Sequence, residues 1–302
     1  MRSKVEMVNR RCIQAIVTSL ALLMLPAAAR ATLVIGTMHV PVTQNFDSLG
    51  TSGLSLSVLN GATGWRVVGG ASPTFASGSS TLTQLGNGSF TAGGSYNFGG
   101  TGNGDRAVGF LTSGSFTSPQ NLMVQLQNST GGTIAALEID FDYEKYRTGT
   151  RAFDWTFFGS VDGVNWTSYS AGDHSYVADV NSTTYGTPLS STSKAITISG
   201  LSIANGSSYF LRWTLAGVGG STNGQGIGID NFSITAIPEA SSFLFAGVVA
   251  GVAGFGWGGR GGRLRPAGPL RGPRGPPHHK PPQTLPPRPA APLPVPDHDE
   301  DV

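Results

Sequence analysis

The sequence predicts an all-β chain, an antiparallel β-sandwich of the jelly-roll kind, and three observations carry that expectation. Charged residues make up only 12% of the 302 residues, whereas 44 are Gly. A chain so poor in charge and so rich in turn formers has little material for amphipathic helices. Runs rich in Val, Ile, Leu, Phe and Tyr recur at residues 122–127, 134–143, 153–158, 195–198, 209–215 and 229–235. Turn dipeptides punctuate the chain around them: Asn60–Gly61, Asn87–Gly88, Gly131–Gly132, Asp162–Gly163, Asn205–Gly206 and Asn223–Gly224. No helical periodicity intervenes, so successive strands are joined by turns and loops rather than by crossover helices.

Taken in order, residues 1–31 have the three parts of a secretory signal peptide. Arg2, Lys4, Arg10 and Arg11 form a basic region, residues 12–25 are largely apolar, and Ala27, Ala28, Ala29 and Ala31 supply a small-residue cleavage site. The one cysteine, Cys12, falls in this leader, so the exported domain is expected to hold together by burial without a disulfide. Residues 32–236 form the predicted sandwich. Seven basic residues there face eleven acidic ones, a balance of about −4 behind the +2 of the whole chain. A mildly acidic domain lacks the electrostatic footprint for nucleic acid.

Residues 237–265 open with Pro238 and Glu239 and continue into the apolar stretch 243–259, a predicted transmembrane helix. Arg260, Arg263 and Arg265 follow it as a stop-transfer cluster. Residues 266–302 are rich in Pro, Arg and Gly without apolar periodicity, and are predicted to be disordered.

A Pro–Glu pair, an apolar run and a basic cluster together resemble the PEP-CTERM sorting signal of exopolysaccharide-producing Gram-negative bacteria. Ala240 stands where that signal has a second proline, and the chain runs 37 residues past Arg265. The resemblance implies that Pro238 and Glu239 are recognised by a membrane exosortase. It also implies an outer-surface or matrix location, with the apolar helix as a transient or stable anchor.

Within the domain, Asn45–Asp47 and residues 229–234 resemble the first and last strands of a galactose-binding-like jelly roll. That resemblance implies neighbouring terminal strands and a calcium site to which Asp47 and Asp230 contribute, carboxylates being suitable for a hard cation. The alternative for both is an ordinary turn or cap carboxylate. Residues 160–166, Ser-Val-Asp-Gly-Val-Asn-Trp, are similar to the S-x-D-G-x-x-W segment of discoidin-like sandwiches, where Asp162–Gly163 makes the turn and Trp166 packs on the sheet.

Residues 138–144 alternate strictly, placing Glu138, Asp140, Asp142 and Glu144 on one strand face. Two readings stand: a solvated outer face balanced by Lys145, Arg147 and Arg151, or an acid/base or cation site. The domain has no G-x-S-x-G elbow and no H-E-x-x-H helix, and no P-loop lysine follows the glycine run at 99–104, which reads as a flexible loop. Trp65, Trp155, Tyr169, Tyr176 and Tyr185 are candidates for core packing or for a sugar-stacking platform. The chain therefore reads as an exported, non-catalytic surface protein, polysaccharide-binding or structural in the exopolysaccharide matrix. The alternative is a polysaccharide hydrolase or lyase using the acidic 138–144 face.

Overall fold

Inward-facing side chains alternate with outward-facing ones along every long strand, and this period of two builds the molecule. The computed structural model describes residues 32–59, 64–218 and 224–239. The leader, the apolar segment 243–259, Arg260, Arg263, Arg265 and the 266–302 tail lie outside these residues. Fourteen strands are described: β1 Leu33–Ile35, β2 Val42–Gln44, β3 Trp65–Gly69, β4 Gln84–Leu85, β5 Gly94–Phe98, β6 Ala107–Leu111, β7 Gln120–Asn128, β8 Ile134–Arg147, β9 Ala152–Ser160, β10 Thr167–Ser168, β11 His174–Tyr176, β12 Ser190–Ile198, β13 Ser208–Val218 and β14 Gly226–Pro238. No helix among the described residues is long and apolar enough to cross a membrane.

Two seven-stranded sheets result. Sheet A runs β1–β7–β13–β9–β10, with β3 also on β7 and β11 also on β9. Sheet B runs β12–β8–β14–β6–β5–β4, with β2 also on β14. The long strands β7, β8, β9, β12, β13 and β14 alternate between the sheets, the zigzag of a jelly roll. One expectation needs correction: the sheets are mixed. β1 pairs with β7, and β4 with β5, in parallel. Both are short additions that reach their partners from elsewhere in the chain rather than through a hairpin.

The core lies between the sheets. Leu137, Ile139, Phe141 and Tyr143 of β8 point inward, as do Phe153, Trp155 and Phe157 of β9. Trp213 sits at the centre, stacked on Trp65 at 5.7 Å, with Phe141, Phe157 and Phe232 within 5.2–5.8 Å. Burial of such rings is the main stabilising term, about 25 cal/mol per Å² of apolar surface. Of the five candidate platform aromatics, Trp65, Trp155 and Tyr176 belong to this core, and Tyr169 packs against it.

A second, smaller cluster lies on the outer side of sheet B: Phe90, Tyr96, Phe98, Ala107, Leu111 and Tyr146. Phe98 is stacked between Tyr96 and Tyr146, with Phe90 edge-on to all three. The chain around β4 and β5 thus roofs one end of that face and leaves the other open. The glycine run at 99–104 is a loop, exposed at Gly102 and Gly104 and buried at Gly99 and Gly100. Gly99 adopts φ 139°, and a Cβ there would stand 2.2 Å from the Arg106 guanidinium.

Candidate functional site

The outer face of sheet B is where the acidic residues collect. β8 presents Glu138, Asp140, Asp142 and Glu144 on it, as alternation requires. The aromatic roof divides them: Glu138 and Asp140 are exposed, Asp142 is half-buried, and Glu144 is 4% exposed under Tyr146. Tyr146 Oη donates to Glu144 Oε2 at 2.7 Å. The expected balance by Lys145, Arg147 and Arg151 does not form. Lys145 projects from the opposite face, ion-paired with Asp179 at 3.1 Å and lying over the Tyr176 ring. Arg147 donates to the Gly224 carbonyl, and Arg151 stacks over Phe153.

β14 adds Asp230 to the same face, opposite Asp142 in register. A bulge follows, and Asn231 within it adopts φ 52°. Asn tolerates this left-handed conformation, and the kink turns its amide so that Nδ2 donates to Asp142 Oδ2 at 2.9 Å. Just beyond the bulge, β2 pairs antiparallel with β14, Gln44 opposite Phe232. The second strand thus lies beside the last; Asn45–Asp47, expected as the first strand, is instead the turn after β2, and the first strand, β1, pairs with β7 in sheet A.

Phe46 carries the chain from β2 into the short turn that opens with Asp47. It is left-handed at φ 57°, unusual for a bulky residue, and its ring is fully buried edge-on to Trp65 at 4.9 Å. Burying that ring leaves Asp47 outside the core, where Oδ1 accepts from the Arg106 N–H at 3.0 Å and Oδ2 from Asn45 Nδ2.

Asp47 and Asp230, the two carboxylates singled out in the sequence, are thus brought into one electrostatic neighbourhood. Asp105 and Glu144, which the sequence reading had not joined to them, share it. Burial, reinforced by Glu144, Asp105 and Asp47, raises the Asp230 pKa from 3.8 to about 8. Burial, opposed by the Tyr146 hydrogen bond and reinforced by Asp105, Asp142 and Asp47, lifts Glu144 to about 7. Arg106 does not neutralise either: its Nε donates to Asn97 Oδ1 and its Nη2 to the Gly86 and Asn97 carbonyls. Asp230 Oδ1 is buried without a hydrogen-bond partner.

Among the described residues no three His, Cys, Asp or Glu side chains group closely enough to hold a metal ion. A cation at Asp47 and Asp230 would take its other ligands from backbone carbonyls, amide oxygens or water, which suits calcium with its six to eight oxygen ligands. The orphaned Asp230 Oδ1 and the mutual repulsion of the carboxylates fit such an ion.

On the open side of the roof is a cleft of about 310 Å³ lined by Asp140, Phe141, Asp142, Ser193, Lys194, Ala195 and Asn231. It offers the carboxylates of Asp140 and Asp142, the Ser193 hydroxyl and the Asn231 amide; Lys194, opposite inward-facing Phe141 in register, turns its side chain to the other face. Asp142 belongs both to this cleft and to the buried cluster. Glu144, the carboxyl with the raised pKa on this strand, does not line it.

Pro238 ends β14, opposite Ile134, and Glu239 beyond it is exposed.

No family model and no curated protein matches the chain. Solved structures with a similar fold include the CBM22-1 xylan-binding domain of Xyn10C from Paenibacillus barcinonensis, at 13% identity and TM-score 0.34, covering 68% of this chain and 99% of that one. The xylan-binding module CBM15 matches at 13% identity and TM-score 0.32, covering 67% and 100%. The CBM22-1–GH10 modules of Clostridium thermocellum xylanase 10B match at 11% identity and TM-score 0.33, over 68% of this chain; the chain spans 30% of that longer one.

Proposed function

We propose that the chain is an exported, non-catalytic polysaccharide-binding protein whose ligand lies in the cleft on the outer face of sheet B. The observation that carries this reading is the convergence of Asp140, Asp142, Ser193 and Asn231 around one open cleft. Sugar hydroxyls both donate and accept, and this set offers partners of both kinds. A calcium ion held through Asp47 and Asp230 would fix the position of Asp142 beside it. The hydrolase or lyase alternative loses support from the same geometry. A glycosidase needs a protonated acid and an ionised carboxylate facing one bond, and both carboxyls kept protonated towards neutral pH are buried, Asp230 at 1% exposure and Glu144 bonded to Tyr146.

The domain in this reading is delivered by the leader and sorted through Pro238 and Glu239, with Arg260, Arg263 and Arg265 stopping transfer of the apolar segment. An exposed Glu239 immediately after the last strand supports access by a membrane-side processing enzyme. The mass of the mature C-terminus in a producing cell tests that part: a chain still ending at Val302 would contradict processing.

Affinity electrophoresis in gels containing neutral polysaccharides tests the binding. Asp142→Asn and Asn231→Ala should each weaken retardation at least tenfold while leaving the melting temperature within a few degrees. Wild-type protein that is retarded by no polysaccharide, with or without calcium, would overturn the reading.

A further inference from the structure

The opposite face of the sandwich holds an arginine in an unusual setting. Arg212 lies on the outer face of sheet A, opposite Met123 of β7 on one side and Phe158 of β9 on the other. It is only 7% exposed. Its guanidinium carbon sits 3.9 Å from the centroid of the Phe158 ring and 4.7 Å from that of Trp166. The Trp166 indole is itself fixed, Nε1 donating to the Pro73 carbonyl at 3.0 Å. Phe158, Trp166 and Phe210, the neighbour of Arg212 on the same strand face, all remain partly exposed.

Stacked rings orient the cation but do not neutralise it. Its Nε is buried with no hydrogen-bond partner. The one ion pair among the described residues, Lys145 with Asp179, lies elsewhere. Burial alone lowers the Arg212 pKa to about 10, with no carboxylate acting to raise it again. The nearest acidic residues along the chain are otherwise placed. Asp162 is consumed by its own turn, Oδ1 accepting from the Val164 and Asn165 N–H groups and the Ser160 hydroxyl, and Oδ2 from the Asn165 amide. Asp154 stands on the same face of β9 but opposite Ala216, four residues along from the Phe158 that pairs with Arg212.

A guanidinium with stacked faces and a free N–H edge matches a planar carboxylate, which it binds in the plane through two parallel hydrogen bonds. Partly exposed aromatic rings beside it suit the apolar face of a sugar ring. We propose that Arg212, framed by Phe158 and Trp166, is a second binding site that takes the carboxylate of a uronic acid residue in an acidic polysaccharide. The site lies on the other sheet from the acidic cleft, whose own carboxylates repel such a ligand. It extends the polysaccharide-binding reading without depending on the cleft.

The test is titration of the folded domain with a galacturonic acid hexamer, with a neutral hexose hexamer and a sulfated one as comparisons, by calorimetry and by NMR of the arginine Nε–H region. The galacturonate hexamer should bind and shift the Arg212 Nε–H resonance. Arg212→Lys, which keeps the charge and loses the fork, should weaken binding at least tenfold, whereas Asp142→Asn should leave it unchanged. Wild-type protein that does not bind the galacturonate hexamer at millimolar concentration overturns the proposal, as does an unshifted Arg212 resonance, which needs no variant. Equal affinity in Arg212→Lys also overturns it, and binding of the sulfated hexamer alone overturns the carboxylate assignment. Loss of neutral-hexamer binding on Asp142→Asn with galacturonate binding intact would separate this site from the cleft.

Discussion

In the presence of chelator, Asp230→Asn should make the domain more stable, and increasingly so as the pH rises. Asp230 is 1% exposed, and burial beside Glu144, Asp105 and Asp47 raises its pKa from 3.8 to about 8. A carboxyl whose folded pKa is raised contributes its full stability below the unfolded value, near pH 3.8, and loses it as the pH climbs through about 8. Each pH unit inside that window is worth about 1.4 kcal/mol. From pH 5 to pH 7 the wild-type domain should therefore lose up to about 3 kcal/mol through this group. Glu144, raised to about 7 for the same reason, titrates with it, so the slope belongs to the pair. Asn has the same shape and no charge to desolvate. With the two matching near pH 4, three pH units at about 1.4 kcal/mol each put its melting temperature roughly 8–16 °C above that of wild type at pH 7. Thermal melts by circular dichroism between pH 4 and pH 8 measure both curves. Millimolar calcium should reverse the order, because an ionised Asp230 holds a cation more strongly than a neutral amide oxygen does. A variant less stable than wild type at every pH in chelator would refute the reasoning, as would a wild-type melting temperature that stays flat from pH 5 to 8.

Three further predictions follow from packing. Gly109→Ala should destabilise the fold by about 2 kcal/mol or more, because the new Cβ would stand 2.1 Å from the Ile227 carbonyl oxygen where β6 crosses β14, and backbone cannot yield as a side chain can; urea denaturation reads it. Trp213→Ala should cost about 3–5 kcal/mol, since it empties the centre of the ring cluster joining Trp65, Phe141, Phe157 and Phe232; failure to find soluble folded protein would agree with this, and a loss under 1 kcal/mol would not. Asp162→Ala should loosen the 160–166 turn, where that carboxylate receives two backbone N–H groups and two side chains. Amide exchange at Val164 and Asn165 should accelerate while the core amides remain protected.

The long strands were legible because each carries its own periodicity. All six apolar runs became β7, β8, β9, β12, β13 and β14, each extended by a few residues at its ends. The short strands were not legible. β1, β4, β10 and β11 have two or three residues each and exist only because a neighbouring strand offers them an edge. The same distinction separates the parts of the site. Asp47 and Asp230 stood out because the segments around them resemble terminal strands. Asp105 precedes β6 and joins them only through the roof that folds across sheet B, a tertiary event without a local signal. The balance of charge on β8 failed for a related reason. Lys145 is odd in the alternation and faces away from Glu144, which a count of nearby charges overlooks but the strand period itself contains. Arg212 looked like an unremarkable strand residue, because its rings come from β9 and from the turn after it, 54 and 46 residues earlier in the chain.

The carboxylates sit where they do because of how the sandwich closes. β2 can pair with β14 only if the chain turns sharply afterwards, and the turn is made by Phe46 in a left-handed conformation held in place by its buried ring. β14 must pass from pairing with β6 to pairing with β2 along one edge, and the bulge at Asn231 makes that change. Each of these irregular residues adjoins a carboxylate, Asp47 in one case and Asp230 in the other. The two kinks bring exposed Asp47, which is hydrogen-bonded to Arg106 and Asn45, and buried Asp230 into one electrostatic neighbourhood. The closure thus holds one strained bulky residue, Phe46, and one buried acid, Asp230, and a cation there would offset the burial of that acid. Phe46→Gly separates the two parts of this argument. Glycine relieves the left-handed strain but gives up the buried ring, so the domain should be destabilised overall, by about 3 kcal/mol. If Asp47 is held for a cation by that ring, the calcium-induced rise in melting temperature should shrink as well; an undiminished rise would mean that the cation, if bound, does not depend on the closure.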